Sequence, residues 1–223
     1  ACAATSSSSR SAWRSRLLAL LIAACFSQPA PAPPAAPPGP AAPAVVTPGT
    51  FAAAGFPLRA GQEVLAVCGD RLERLPLALE QVGDHVTPSV PCSWQALFGG
   101  VGDRVGDGAI VPAAIEGDRS MEPPVIVNAG FAEARIHGRK NDDGDYAVVV
   151  RAGDRFVLAE VHSTPGIAPK LVWAGDLDND HVIDWVIDTP TQRNESHLRL
   201  YLTAKQADGR PEQVADSRLQ RNP

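Results

Sequence analysis

The chain has 223 residues, room for one domain or two small ones. Its formal net charge is −5 and no basic stripe runs along it, which excludes nucleic acid as a partner. Aromatic residues are sparse, while Ala, Gly and Pro are abundant.

Residues 1–24 read as an export signal. The basic part is R-S-A-W-R-S-R (10–16), and the apolar part runs from Leu17 to Ala24. That apolar run is far shorter than the roughly 20 residues a membrane-spanning helix needs. Ile22-Ala23-Ala24-Cys25 resembles the lipobox of bacterial lipoproteins, in which a small residue precedes the cysteine that becomes lipidated. The resemblance implies that Cys25 becomes the new N-terminus and carries acyl chains, each buried methylene contributing about 0.8 kcal/mol. Loss of Arg10, Arg14 and Arg16, with no acid lost, would take the net charge from −5 to −8. Phe26, rather than Asp, follows the cysteine, which favours the outer membrane over the inner. The expectation is a periplasm-facing lipoprotein of the bacterial cell envelope, held to the membrane through the lipid on Cys25. Ordinary secretion without a lipid is the alternative.

Residues 25–50 form the lipidated Cys and a Pro/Ala-rich disordered linker, as in P-A-P-P-A-A-P-P-G-P. Such a segment cannot bury a core. In polyproline II geometry it would extend up to roughly 75 Å, a spacer between membrane and domain.

From Phe51 the composition changes to short strand-like runs. E-V-L-A-V-C (63–68), V-P-A-A-I (111–115) and P-V-I-V (124–127) come first. A meander follows, with A-R-I-H, the polar turn Lys140–Asp145, Y-A-V-V-V-R (146–151) and R-F-V-L-A-E-V (155–161). K-L-V-W (170–173), I-D-W-V-I-D (183–188) and H-L-R-L-Y-L (197–202) complete the set, the last alternating as a half-buried strand does. Gly-Asp pairs recur at irregular spacing and mark turns, because Gly accepts positive φ and Asp bonds back to nearby backbone. The one predicted helix is short, Ser93 to Phe98. The fold class is therefore mainly β, an antiparallel meander or sandwich-like domain over residues 51–218. A tail follows at 219–223, and a division near residue 120 is an alternative.

Cys2 is lost with the signal and Cys25 is the lipid candidate. Cys68 and Cys92 remain as a pair in an exported domain, where disulfides persist. Closing that loop would contribute on the order of 3 kcal/mol. No C-x-x-C or matching His pair points to zinc.

The stretch most telling of chemistry is G-D-L-D-N-D-H-V-I-D, Gly175 to Asp184. Two unit charges about 5 Å apart repel by about 3 kcal/mol at an effective dielectric near 20. A hard cation removes that cost, and calcium takes 6–8 oxygen ligands at about 2.3–2.6 Å. On a D-x-D-x-D pattern the ligands are Asp176, Asp178, Asp180, the Val182 carbonyl and Asp184. His181 stands where Gly is usual, at a sharp turn that requires positive φ, and Ile187 stands where an EF-hand has Glu. The flanks are strands, with Ile183, Trp185 and Ile187 facing one way and Asp184, Val186 and Asp188 the other. The segment resembles the strand–loop–strand calcium loops of FG-GAP-like repeats and a motif of uncharacterised exported bacterial proteins. The resemblance covers Val172 to about Asp188 and implies calcium in a structural role. A single copy does not carry over a propeller. The second acidic stretch, N-D-D-G-D (141–145), lacks the alternation and reads as a hairpin turn.

No G-x-S-x-G elbow, H-E-x-x-H or P-loop is present. The glycines of G-G-V-G-D-R-V-G-D-G (99–108) lack the Lys-Ser/Thr of a phosphate loop. His85, His137 and His197 read as surface or strand-end residues. The leading expectation is a non-enzymatic, calcium-stabilised β lipoprotein that binds an envelope protein or glycan. The alternative is a metal-dependent envelope hydrolase built on His162, His181 and Asp184.

Overall fold

The computed structural model describes residues 42–152, 154–162, 167–203 and 210–221. Cys25, the export signal and most of the linker lie outside the described residues. All described residues fall in one compact unit, 38–223, with no division near residue 120.

The domain is antiparallel β. Its first strands are β1 (Ala44–Val46), β2 (Phe51–Ala52), β3 (Glu63–Cys68), β4 (Arg71–Pro76), β5 (Ala78–Val82), β6 (His85–Ser89), β7 (Trp94–Gly99) and β8 (Gly108–Ala109). Then come β9 (Val111–Pro112), β10 (Ala114–Glu116), β11 (Val125–Asn128), β12 (Glu133–Lys140), β13 (Tyr146–Ala152) and β14 (Asp154–Val161). The last are β15 (Lys170–Asp176), β16 (Asp184–Asp188), β17 (Glu195–Thr203) and β18 (Pro211–Gln220). They form three five-stranded sheets, ordered β1-β7-β3-β4-β8, β10-β11-β12-β13-β14 and β18-β17-β16-β15-β9. A smaller sheet, β2-β6-β5, completes the set.

The sheet that contains β15, β16 and β17 has a core on each face. Successive strand residues point to opposite sides, and both sides of β16 are buried. Val186, Leu198 and Leu200 pack in one cluster with Val45, Leu65 and Phe98. Ile183, Trp185, Ile187 and Tyr201 pack in a second with Ile136, Val148 and Val150. The two faces expected of I-D-W-V-I-D are therefore real, and each faces its own core. H-L-R-L-Y-L is more deeply buried than a half-buried strand, because β17 runs between β16 and β18 with its side chains covered from both directions.

The sequence reading is corrected at three places. Ala44–Val46, assigned to the linker, is strand β1, buried and paired with Leu97–Gly99 of β7. Its Val45 N–H donates to Ser217 Oγ at 2.9 Å. Two β-branched residues beside the Pro/Ala tract are enough to complete a sheet edge. The expected helix at Ser93–Phe98 is instead strand β7, because it lies between β1 and β3 and fills both their ladders. The tail is also strand. β18 runs to Gln220, Leu219 is buried, and Arg221 bridges to Phe51.

Cys68 and Cys92 form the expected disulfide, with Cα atoms 6.0 Å apart. It ties the end of β3 to the turn that leads into β7, across the pair Cys68↔Trp94. The N-D-D-G-D stretch is the expected hairpin turn between β12 and β13. Asn141 Oδ1 accepts the Asp145 N–H at 2.8 Å, and Lys140 pairs with Tyr146.

Candidate metal centre

Strands β15 and β16 present the acidic loop. Asp176 is the last residue of β15 and Asp184 the first of β16, so the sheet itself fixes both carboxylates. Gly175 pairs with Asp184 in the ladder and with Pro112 of β9 on the other side. A Cβ on Gly175 would stand 2.6 Å from the Val111 carbonyl oxygen and 2.6 Å from the Trp173 ring. Glycine is what allows three strands to meet at this point. Leu177 and Ile183 pin the loop at either end, Leu177 in one core and Ile183 in the other.

Within the loop, Asn179 and His181 take left-handed φ values of 60° and 65°. Asn and His are among the side chains that tolerate this region best. The turn expected at His181 is thus made without glycine. The backbone N–H groups point inward at carboxylates. Asp176 Oδ1 accepts from Asp180 N at 3.2 Å, and Asp176 Oδ2 accepts from His181 N at 2.9 Å. Asp178 Oδ1 accepts from Asp180 N at 3.2 Å. Asp184 Oδ2 accepts from Leu177 N, and Asp184 Oδ1 from Thr203 N, both at 2.8 Å.

Asp176, Asp178 and Asp184 bring one carboxylate oxygen each to within 4.8 Å of one another. Asp176 and Asp184 are fully buried. Among the described residues this is the one such group of three metal-ligating side chains. Asp180 stands outside it. Its Oδ1 accepts the Val182 N–H at 2.8 Å and so closes the turn. Burial pushes the Asp184 carboxyl up from 3.8 to about 8, against the two N–H groups that lower it, and Asp178 and Asp180 raise it further. Asp178 is also raised, first by burial and then by the charges of Asp180 and Asp176.

The donor set fits one hard cation. Oxygens on opposite sides of a calcium ion lie about 4.6–5.2 Å apart, twice the ligand distance. The three carboxylates fall inside that span. Each oxygen of Asp176 and Asp184 accepts one N–H and keeps a second lone pair. All-oxygen donors select calcium, magnesium or manganese over zinc or copper. With two of three carboxylates fully buried at strand ends, an ion here would be embedded in the fold rather than presented to a substrate.

The histidines do not complete a catalytic centre. His181 projects outward, tilted against Phe131 at 5.7 Å between ring centroids, with Nδ1 3.6 Å from Asp176 Oδ2. His162 sits at the far end of β14, where its Nδ1 lies 2.9 Å from Asp145 Oδ2. His197, expected at the surface or a strand end, is buried in β17 and bonds through Nε2 to Asp216 Oδ2 at 2.8 Å. Beside it, Ser196 Oγ donates to the buried Asp188 at 2.6 Å and the His197 N–H donates to the other Asp188 oxygen at 2.9 Å. Ser196 thus gives its proton to a carboxylate, not to a histidine. This polar network escaped sequence reading because its parts come from β16, β17 and β18. The one available signal was Asp188 on the same strand face as Asp184.

No protein family, no curated protein and no solved structure matches this chain.

Proposed function

We propose that the protein is an exported lipoprotein of the bacterial envelope, anchored through Cys25, whose β domain is locked by calcium in the 176–184 loop. Its role is non-enzymatic, to bind or brace an envelope protein or glycan. Calcium is preferred to magnesium because calcium tolerates irregular oxygen cages, whereas magnesium demands near-ideal octahedral geometry and holds its waters. Asp180 and the Val182 carbonyl are the additional ligands in this reading.

The observation that carries the proposal is the burial of Asp176 and Asp184 at the ends of two core strands, with Asp178 converging on them. Three carboxylates in that setting destabilise a fold unless a cation or protons neutralise them. An embedded ion stabilises, which supports a structural role over a hydrolytic one.

Equilibrium dialysis followed by metal analysis tests the site. One calcium per chain is expected for the unaltered protein and none for Asp178→Ala. Membrane fractionation of Cys25→Ser tests the anchor. The variant should move from the membrane to the soluble fraction, and retention in the membrane would refute the lipid.

A further inference from the structure

A second feature lies at the ends of β15 and β16 opposite the acidic loop. A cleft there holds about 670 Å³, within the range of small-molecule sites. It opens where the start of β15, the turn after β16 and the segments around Thr47 and Arg221 meet. Its rim carries four cations, Arg119, Lys170, Arg193 and Arg221, all exposed. In a chain with a net charge of −5, that concentration of positive charge is not a sampling of the average surface.

Two of these cations are already aimed. Arg119 Nη1 donates to the Val172 carbonyl at 2.8 Å. Arg221 Nη2 donates to Ser196 Oγ at 3.1 Å and stands 3.8 Å from Asp188 Oδ2. Each guanidinium has five N–H donors, so both keep several for a ligand. The two acids of the cleft are committed inward. Asp188 accepts from Ser196 and His197, and Glu195 Oε2 accepts from the Thr191 N–H and hydroxyl. Four cations therefore face two lining carboxylates, Asp188 with both oxygens and Glu195 with Oε2 engaged by internal donors.

We propose that this cleft binds a small phosphorylated ligand, with the phosphate held by Arg193, Lys170, Arg119 and Arg221. A dianion suits the excess positive charge better than a single carboxylate does. Guanidinium forks pair two phosphate oxygens at once, while an ammonium adds a point charge. The site does not depend on the metal in the 176–184 loop. The phosphate can come from a soluble ester or from a lipid headgroup, and the two are separable by experiment.

The full chain is titrated with inorganic phosphate and with glycerol 3-phosphate by calorimetry at physiological salt. In parallel it is sedimented with vesicles of phosphatidylglycerol and of phosphatidylcholine. Arg193→Ala and Lys170→Ala remove exposed rim charges and should leave the melting temperature unchanged. Each should weaken binding about tenfold, the loss of one charge-assisted hydrogen bond. Saturable binding of glycerol 3-phosphate that falls in both variants supports the cleft and assigns a soluble ester. Binding only to phosphatidylglycerol vesicles, with the same losses, supports it and assigns a headgroup. Absence of binding in both arms overturns the proposal. So does binding that Arg193→Ala and Lys170→Ala leave intact.

Discussion

Asp184 holds Thr203 directly, the Thr203 N–H donating to Asp184 Oδ1 at 2.8 Å across 19 positions of sequence. The bond joins the mouth of the acidic loop to the last residue of β17. Whatever neutralises Asp184 therefore steadies the central sheet, which both cores share.

Asp178 is the test of charge against fold. It is the half-buried member of the cluster, raised by burial and by its acidic neighbours. Asp178→Ala should leave the melting temperature in chelator unchanged or higher, because a repulsive partner is gone. In excess calcium it should lose the stabilisation that the unaltered protein gains, about 2.7 kcal/mol at a hundredfold excess over the dissociation constant. Paired thermal scans of the two proteins read both effects.

The pH dependence has a defined sign. Burial holds the Asp184 carboxyl at about 8 in the folded domain against 3.8 for a freely solvated Asp side chain. A folded pKa above the unfolded one means that the folded state binds the extra proton. That contribution is fully present below the unfolded value and is lost as pH rises through about 8. Asp178 and Asp188 shift in the same direction, chiefly by burial. In chelator the domain should therefore become less stable as pH rises from about 4 to 8. Calcium needs the carboxylate form, so its stabilising effect should grow over the same window, with proton release on binding. Melting temperatures across that range, with and without calcium, check both trends.

Gly175→Ala should be among the most damaging single substitutions in the domain. The new methyl group would collide with backbone at Val111 and with the Trp173 ring, so β9 must detach or β15 must shift. A loss of about 2–4 kcal/mol is expected in urea unfolding, on the scale of overpacking plus lost ladder bonds.

The disulfide supports the first sheet independently of the metal. Cys68 and Cys92 are separated by 24 positions. Cys68→Ser with Cys92→Ser should lower stability by about 3 kcal/mol by releasing that loop in the unfolded chain. The calcium-dependent shift should persist in the double variant, since the two features lie in different sheets.

Legibility varied with how local the determining contacts are. The meander β12–β13–β14 was plain, because alternating apolar runs meet at turns with Asn, Asp and Gly. The opposed faces of I-D-W-V-I-D were plain for the same reason. β1 was hidden by the Pro/Ala tract around it, and only pairing with β7 gives Ala44–Val46 its place. β18 was hidden by polarity. Ala215, Ser217 and Leu219 face inward and charged or polar residues alternate outward, so only half of P-E-Q-V-A-D-S-R-L-Q reports on the core. S-W-Q-A-L-F mixes good helix formers with strand formers, and its neighbours in the sheet decided the outcome. At the candidate site, the positive φ of His181 was readable from the loop pattern. The turn-closing bond of Asp180 and the polar network around Asp188 were not, because they depend on backbone geometry and on partners from three strands.

Thermal unfolding of the purified protein in excess calcium and in excess chelator asks the central question most directly. If the three carboxylates enclose a calcium ion, the midpoint should lie about 5–10 °C higher in calcium at a hundredfold excess over the dissociation constant. The same midpoint in both solutions would contradict a metal-locked loop.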